Sequence, residues 1–145
     1  MIDVYKLVAD LHKSIDEMNR LLVRDVANLV PFDLTPVQEA YVIFCNSHAP
    51  TTVTSLVEEF GVSKSAVSQM ITKLENDGFV KREINPENKR ERLIFPAAKA
   101  KKYQQGLDQL DKQMTEKYYV HLETQDIQQM YNAISKLNGV IRENR

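Results

Sequence analysis

Between residues 54 and 78, two short apolar periodicities are separated by Gly61-Val62-Ser63, and this punctuation constrains the fold more than anything else in the chain. Thr54 or Ser55 is placed to open a short helix carrying Leu56, Val57 and Phe60 on its apolar side. Gly61 ends that helix, because a tight turn there needs the left-handed backbone that glycine adopts without steric cost. Val62 is expected to pack inward. Ser63 is placed to cap a second helix over 64–76, with Val67, Met70, Ile71 and Leu74 on its buried side and Gly78 closing it. Two short helices joined by a tight, glycine-containing turn make a helix-turn-helix.

The outward side of the second helix is chemically uniform. Lys64, Ser65, Ser68, Gln69, Thr72 and Lys73 share it, and none is apolar or acidic. Hydroxyls, an amide and amines donate to phosphate oxygens and read base edges in a major groove. Glu75 and Asp77 stand only at the far end. Residues 79–84 then read as a strand, Asn85-Pro86-Glu87-Asn88 as a turn, and residues 92–95 as a returning strand. The hairpin tip is expected to present Lys89, Arg90 and Arg92. A basic hairpin after such a helix is a wing suited to the phosphate backbone or a narrow minor groove.

The charge distribution agrees. The formal net charge is −1, yet residues 61–102 hold ten Lys/Arg against five Asp/Glu, while residues 1–60 hold four against nine. A basic middle between acidic ends suits one face that meets a polyanion. A solvated helical surface is the competing reading of the same charges.

Both ends of the chain read as long amphipathic helices. From residue 3 to 29, Val4, Leu7, Leu11, Ile15, Met18, Leu22, Val26 and Leu29 recur at helical spacing with no Gly or Pro between them. Pro31 and Pro36 break the chain, and Thr35 is placed as an N-cap. The helix that follows is expected to turn Val37, Ala40, Tyr41, Phe44 and Cys45 inward and to end at His48-Ala49-Pro50. Near the other end, Tyr103, Leu107, Leu110, Met114, Tyr118 and Leu122 form one stripe. Thr124 is read as the cap of a last helix striped by Ile127, Met130, Tyr131, Ile134, Leu137 and Ile141. The middle segment is too small to cover these stripes. Two interleaved chains would do so, and terminal helices packed on one another within a monomer remain the other solution.

Composition excludes several classes. Hydrophobic content of 43% and charged content of 27% are ordinary for a soluble globular protein. The longest apolar run, residues 40–45, falls far short of the roughly twenty residues a membrane span needs. The opening Met1-Ile2-Asp3 offers no export signal, and the single cysteine fits a reducing cytoplasm. Three histidines and four glycines leave little material for a metal, cofactor or hydrolytic site, so no catalytic residue is expected. Cys45 reads as a buried thiol rather than a peroxide sensor. Cys45 and His48 could face one metal, but no third ligand stands nearby.

The run Leu56-Val57-x-x-Phe60-Gly61-Val62-Ser63-x-x-x-Val67-Ser68-x-x-Ile71-x-x-Leu74-Glu75-x-x-Gly78-Phe79-Val80 resembles the winged helix-turn-helix of MarR-type bacterial transcription regulators. So does the wing Asn85-Pro86-Glu87-Asn88-Lys89-Arg90. The resemblance implies a mainly α fold with a small β-hairpin wing: an N-terminal dimerisation helix over 1–34, a DNA-binding lobe over 35–98, and C-terminal dimerisation helices over 99–145. It implies a cytoplasmic homodimer on a palindromic double-stranded operator, usually repressing, released by a small lipophilic or phenolic effector or by oxidation. Residues 63–73, which add Ser63 to the face above, would then lie along the recognition helix, and Arg90 would be the wing arginine. Asn88 replaces an aspartate common in the family, and Phe95-Pro96 and Ala100 replace a Leu-Thr pair and a glycine, so wing bracing and the lead into the next helix are expected to differ. A winged helix that binds protein, without an operator, is the alternative function. A small thiol enzyme built on Cys45 would need a base that its neighbours do not supply.

Overall fold

The computed structural model describes residues 1–145. They form two compact units, Met1–Asp108 and Gln109–Arg145. The first unit begins with α1 (Val4–Leu29), whose start is capped by Asp3 accepting from the Lys6 N–H at 3.2 Å. Then follow α2 (Pro36–Ser47), α3 (Val53–Phe60), α4 (Lys64–Asn76), β1 (Val80–Asn85) and β2 (Asn88–Pro96). The boundary between units falls inside α5 (Ala98–Lys117). The second unit continues through a 3-10 turn (Tyr119–His121) into α6 (Thr124–Glu143).

Capping chemistry accounts for the helix starts. Thr35 and Gln38 form a reciprocal capping box at α2, each side chain bonding the other's backbone N–H, with Pro36 at the first helical position. At α3 the cap is Thr52, not Thr54 or Ser55: its hydroxyl accepts from the Ser55 N–H at 3.1 Å, so the helix begins at Val53, one or two residues earlier than expected. Ser63 caps α4 by accepting from the Ala66 N–H at 3.1 Å. At α6 the cap position is Glu123, which makes no side-chain bond, and Thr124 is already helical.

The core of the first unit is drawn from α2, α3, α4 and β2, where Val42, Cys45, Leu56, Val67, Ile71, Leu74 and Ile94 are fully excluded from solvent. Gly61 sits at φ 64°, as the turn requires. Val62 does not pack inward. It is 41% exposed, and Leu56 and Val67 on either side of the turn take the buried positions instead. In α2, Val37 lies exposed in the first turn, while Val42 is buried beside Tyr41 and Cys45 in sequence.

β1 and β2 pair antiparallel from Val80↔Pro96 to Ile84↔Arg92, and Thr51 adds a third short pairing through two bonds with Ile94, of 3.0 and 2.8 Å. After Ile84 the register jumps, because Asn85 pairs with Asn88. Residues 89–91 are therefore extra residues in a β2 bulge, and the turn itself is only Pro86-Glu87. Lys89 and Arg90 belong to that bulge, not to the tip, and Arg92 pairs within the sheet.

The lead into α5 is held by the Ala97 N–H donating to the Phe79 carbonyl at 2.9 Å, with the Lys99 amine 5.7 Å from the Phe79 ring centre. Gly106 is needed for a different reason from Gly61: a Cβ there would stand 2.5 Å from the Leu29 carbonyl oxygen. In the second unit the end of α5 and α6 share an open apolar groove lined by Met114, Tyr119, Ile127, Met130 and Ile134. Along α1, Val4, Leu7, Leu11, Ile15, Met18 and Val26 are exposed, and so are Met130, Tyr131, Ile134, Leu137 and Ile141 of α6.

Candidate nucleic-acid interface

The helix-turn-helix and the hairpin bring the basic middle of the sequence onto a common lobe. Ser63, Lys64, Ser65, Gln69, Thr72 and Lys73 are all exposed. Ser68 is half-buried and lies at the margin of that face. Asn76 extends the exposed polar side by another turn and was not singled out from the sequence. The Ser63 hydroxyl spends an acceptor site on its cap and keeps its proton. Gln69 Nε2 donates to Ser65 Oγ at 3.4 Å, an i, i+4 contact that a bound base edge could replace.

Lys73 is not a free cation. Its amine lies 3.1 Å from Asp77 Oδ2, four residues on. Glu75, the other acid at this end, is engaged by Arg82 of β1, whose Nη2 stands 2.9 Å from Oε1. The Arg82 backbone N–H donates to Glu75 Oε2 at 3.1 Å, and Nη2 also donates to Thr72 Oγ1 at 3.2 Å. Hydrogen bonding from Arg82 holds the Glu75 carboxyl below its ordinary range, and the same bond raises Arg82. Both carboxylates nearest the face are thus matched by cations. Arg82 itself escaped the sequence reading, because nothing in a strand pattern says that its side chain crosses to a helix seven residues back.

On the wing, Lys89 and Arg90 are exposed and carry no ion pair. Asn88 supplies bracing of a different kind from the expected charge pairing: its Oδ1 accepts from the Arg90 backbone N–H at 3.2 Å. Asn85 does the same for the Glu87 N–H at 3.0 Å and donates to Glu91 Oε1 at 3.0 Å. Arg92 Nη1 donates to the Lys89 carbonyl at 3.3 Å. Side-chain to backbone bonds of this kind stiffen a tight turn without charge.

The remaining candidates point elsewhere. Cys45 is fully buried, and burial pushes its thiol up to about 12, so no thiolate forms near neutral pH. His48 is exposed, stacked on Phe44 at 4.1 Å with its Nδ1 2.8 Å from Ser47 Oγ. Tyr41 is buried and stacked on Phe60.

Residues 34–91 match the model of the MarR family. The winged lobe is thus similar to the domain that this family shares. The family is one of transcription regulators, not enzymes. Over 117 residues the chain is 26% identical to the HTH-type transcriptional regulator YfiV of Bacillus subtilis (strain 168), covering 81% of this chain and 73% of that protein. Its fold is similar to that of Streptococcus pneumoniae FabT, solved in complex with DNA, with a TM-score of 0.77 and 18% identity over 97% of this chain and 99% of that one. It is likewise similar to a MarR family transcriptional regulator from Listeria monocytogenes complexed with 26mer DNA, with a TM-score of 0.64 and 18% identity over 99% and 92% of the two chains. No helix of the chain is long and apolar enough to cross a membrane.

Proposed function

We propose that this chain is a cytoplasmic, homodimeric, sequence-specific DNA-binding transcription regulator. One observation carries the reading: the exposed side of α4 and the adjoining wing hold Lys64, Lys89 and Arg90 without ion pairs, while the two acids at the end of α4, Glu75 and Asp77, are each matched by a cation. α4 lies in a major groove, with Ser63, Lys64, Ser65, Ser68, Gln69, Thr72 and Lys73 toward DNA. Lys89 and Arg90 meet the flanking backbone or minor groove. The FabT and Listeria proteins with similar folds were solved with DNA, which supports a duplex as the partner.

The exposed stripes of α1 and α6 support pairing of two chains. Burying each such side chain contributes about 1.5–3 kcal/mol, and a dozen of them exceed the roughly 4–15 kcal/mol that association costs. A two-fold dimer then repeats α4 on half-sites about 10 base pairs apart, so the operator is palindromic. Repression relieved by a small lipophilic or phenolic effector is the mode of regulation that the family suggests.

Binding of the full-length protein to a duplex selected from genomic fragments, followed by fluorescence anisotropy at rising salt, tests this. Contact with 6–10 phosphates weakens binding by about 10³–10⁵ between 50 and 200 mM salt. Equal affinity for selected and scrambled duplexes, or none for either, would overturn the proposal in favour of a protein-binding winged helix.

A further inference from the structure

Thr72 sits on the exposed side of α4 with its hydroxyl oxygen already in use. Arg82 Nη2 donates to Thr72 Oγ1 at 3.2 Å. The same guanidinium is held by Glu75, through Nη2 to Oε1 at 2.9 Å and Nε to Oε2 at 3.4 Å, while the Arg82 backbone N–H ties the strand to Oε2 at 3.1 Å. Arg82 is thus clamped at its backbone and at its side chain, and its aim at Thr72 is set by Glu75.

A guanidinium has donors only, whereas a hydroxyl has one proton and two lone pairs. With a donor seated on Oγ1, the Thr72 proton is turned away from Arg82. The common alternative for a helical threonine is to give that proton to the carbonyl four residues earlier. Thr72 makes no such bond to Ser68: its only side-chain hydrogen bond is the one it accepts from Arg82. The proton is therefore uncommitted, on an exposed residue, beside a cation that polarises the O–H and strengthens it as a donor.

Building on the DNA-binding reading above, we infer that Arg82 is a positioning residue that makes Thr72 a hydrogen-bond donor toward an acceptor atom of the bound duplex. The acceptors within that chemistry are purine N7, guanine O6, thymine O4 and a phosphate oxygen. The exocyclic amines of adenine and cytosine, which offer protons, are the wrong partners. Glu75, acidic and next to a polyanion, has a use in this arrangement: its charge is consumed in aiming Arg82.

The test uses the full-length protein on its selected duplex, with Thr72→Ser, Thr72→Val, Arg82→Lys, Arg82→Met and the double variant T72V/R82M, read by affinity and by thermal midpoint. Thr72→Val keeps the shape and loses the hydroxyl, and should weaken binding about five- to tenfold, while Thr72→Ser stays within about twofold of wild type. Arg82→Met should lose as much as Thr72→Val. The double variant should be no weaker than Arg82→Met, since the two residues act as one unit. Arg82→Lys should recover part of the loss. Replacing purines one at a time by 7-deazapurines, and linkages one at a time by methylphosphonates, should find one substitution that weakens wild type and Thr72→Ser but is silent in Thr72→Val. Which substitution it is tells base edge from phosphate. Wild-type affinity in Thr72→Val, or additive losses in the double variant, would overturn the inference. If Arg82→Met lowers the thermal midpoint, the Thr72→Val and Thr72→Ser pair decides alone. Failure of the wild type to prefer its selected duplex over a scrambled one rejects the regulator reading itself, before any variant is compared.

Discussion

Arg82 joins the wing to the helix beside it through Glu75: Nη2 stands 2.9 Å from Oε1, and the Arg82 backbone N–H reaches Oε2 at 3.1 Å. The pair spans β1 and α4, so it sets the spacing between the two elements proposed to meet DNA. Both side chains are about a third exposed, at 28% and 35%, so the pair is worth no more than about 1 kcal/mol. Its pH dependence has a definite sign. The Glu75 carboxyl is held below its ordinary range, so its contribution is complete above about pH 4.3 and is lost as pH falls through the lowered value. Glu75→Gln should therefore lower stability near neutral pH and flatten the acid side of the stability profile, as read by urea unfolding at pH 7 and below pH 4. Identical profiles for the variant and wild type would show that the ion pair contributes nothing.

Gln69 and Arg90 should separate base reading from backbone contact. Gln69→Ala should relax base preference within each half-site while leaving non-specific affinity nearly unchanged. Arg90→Ala should weaken binding to all sequences and reduce the salt slope by about one. Salt-titrated anisotropy on selected and scrambled duplexes checks both, and a uniform loss in Gln69→Ala would contradict its placement in the groove.

Cys45 should be chemically silent in the folded protein. Its thiol is raised from 9.0 to about 12 by burial, so folding favours the protonated form. That contribution is complete below about pH 9 and is lost as pH rises toward 12. Disulfide-exchange reagents at pH 8 should modify Cys45 only at the rate of unfolding, and hydrogen peroxide should leave duplex affinity unchanged. Rapid labelling of the native protein would contradict the burial.

Leu137 is 52% exposed on α6, in the stripe proposed to pair two chains. Leu137→Glu should shift the protein from dimer to monomer in analytical ultracentrifugation. Affinity for a palindromic duplex should then fall toward that for a single half-site. A variant that stays fully dimeric would place the contact between chains elsewhere.

Much of the winged lobe was legible because its signals are local. Gly61 at a helix end, Ser63 and Thr35 as caps, and the spacing of Val67, Ile71 and Leu74 each depend on residues within a turn or two. Steric freedom, capping bonds and helical period act over that range, so they can be read along the chain. The start of α3 was misplaced because two candidate hydroxyls adjoin the true cap, Thr52, and residue type alone does not rank them. Contacts across elements left no such trace. The reach of Arg82 to Thr72 and Glu75, the bulge that moves Lys89 and Arg90 out of the turn, and the pairing of Thr51 with Ile94 all follow from strand register and from which faces meet. Gly106 looked like any glycine in a polar helix until the carbonyl of Leu29 stood where its Cβ would be. Local chemistry along the chain settles which segments coil, turn or extend. Partners far apart in number are chosen only when the core closes, because the free energy of those contacts depends on where whole elements come to rest.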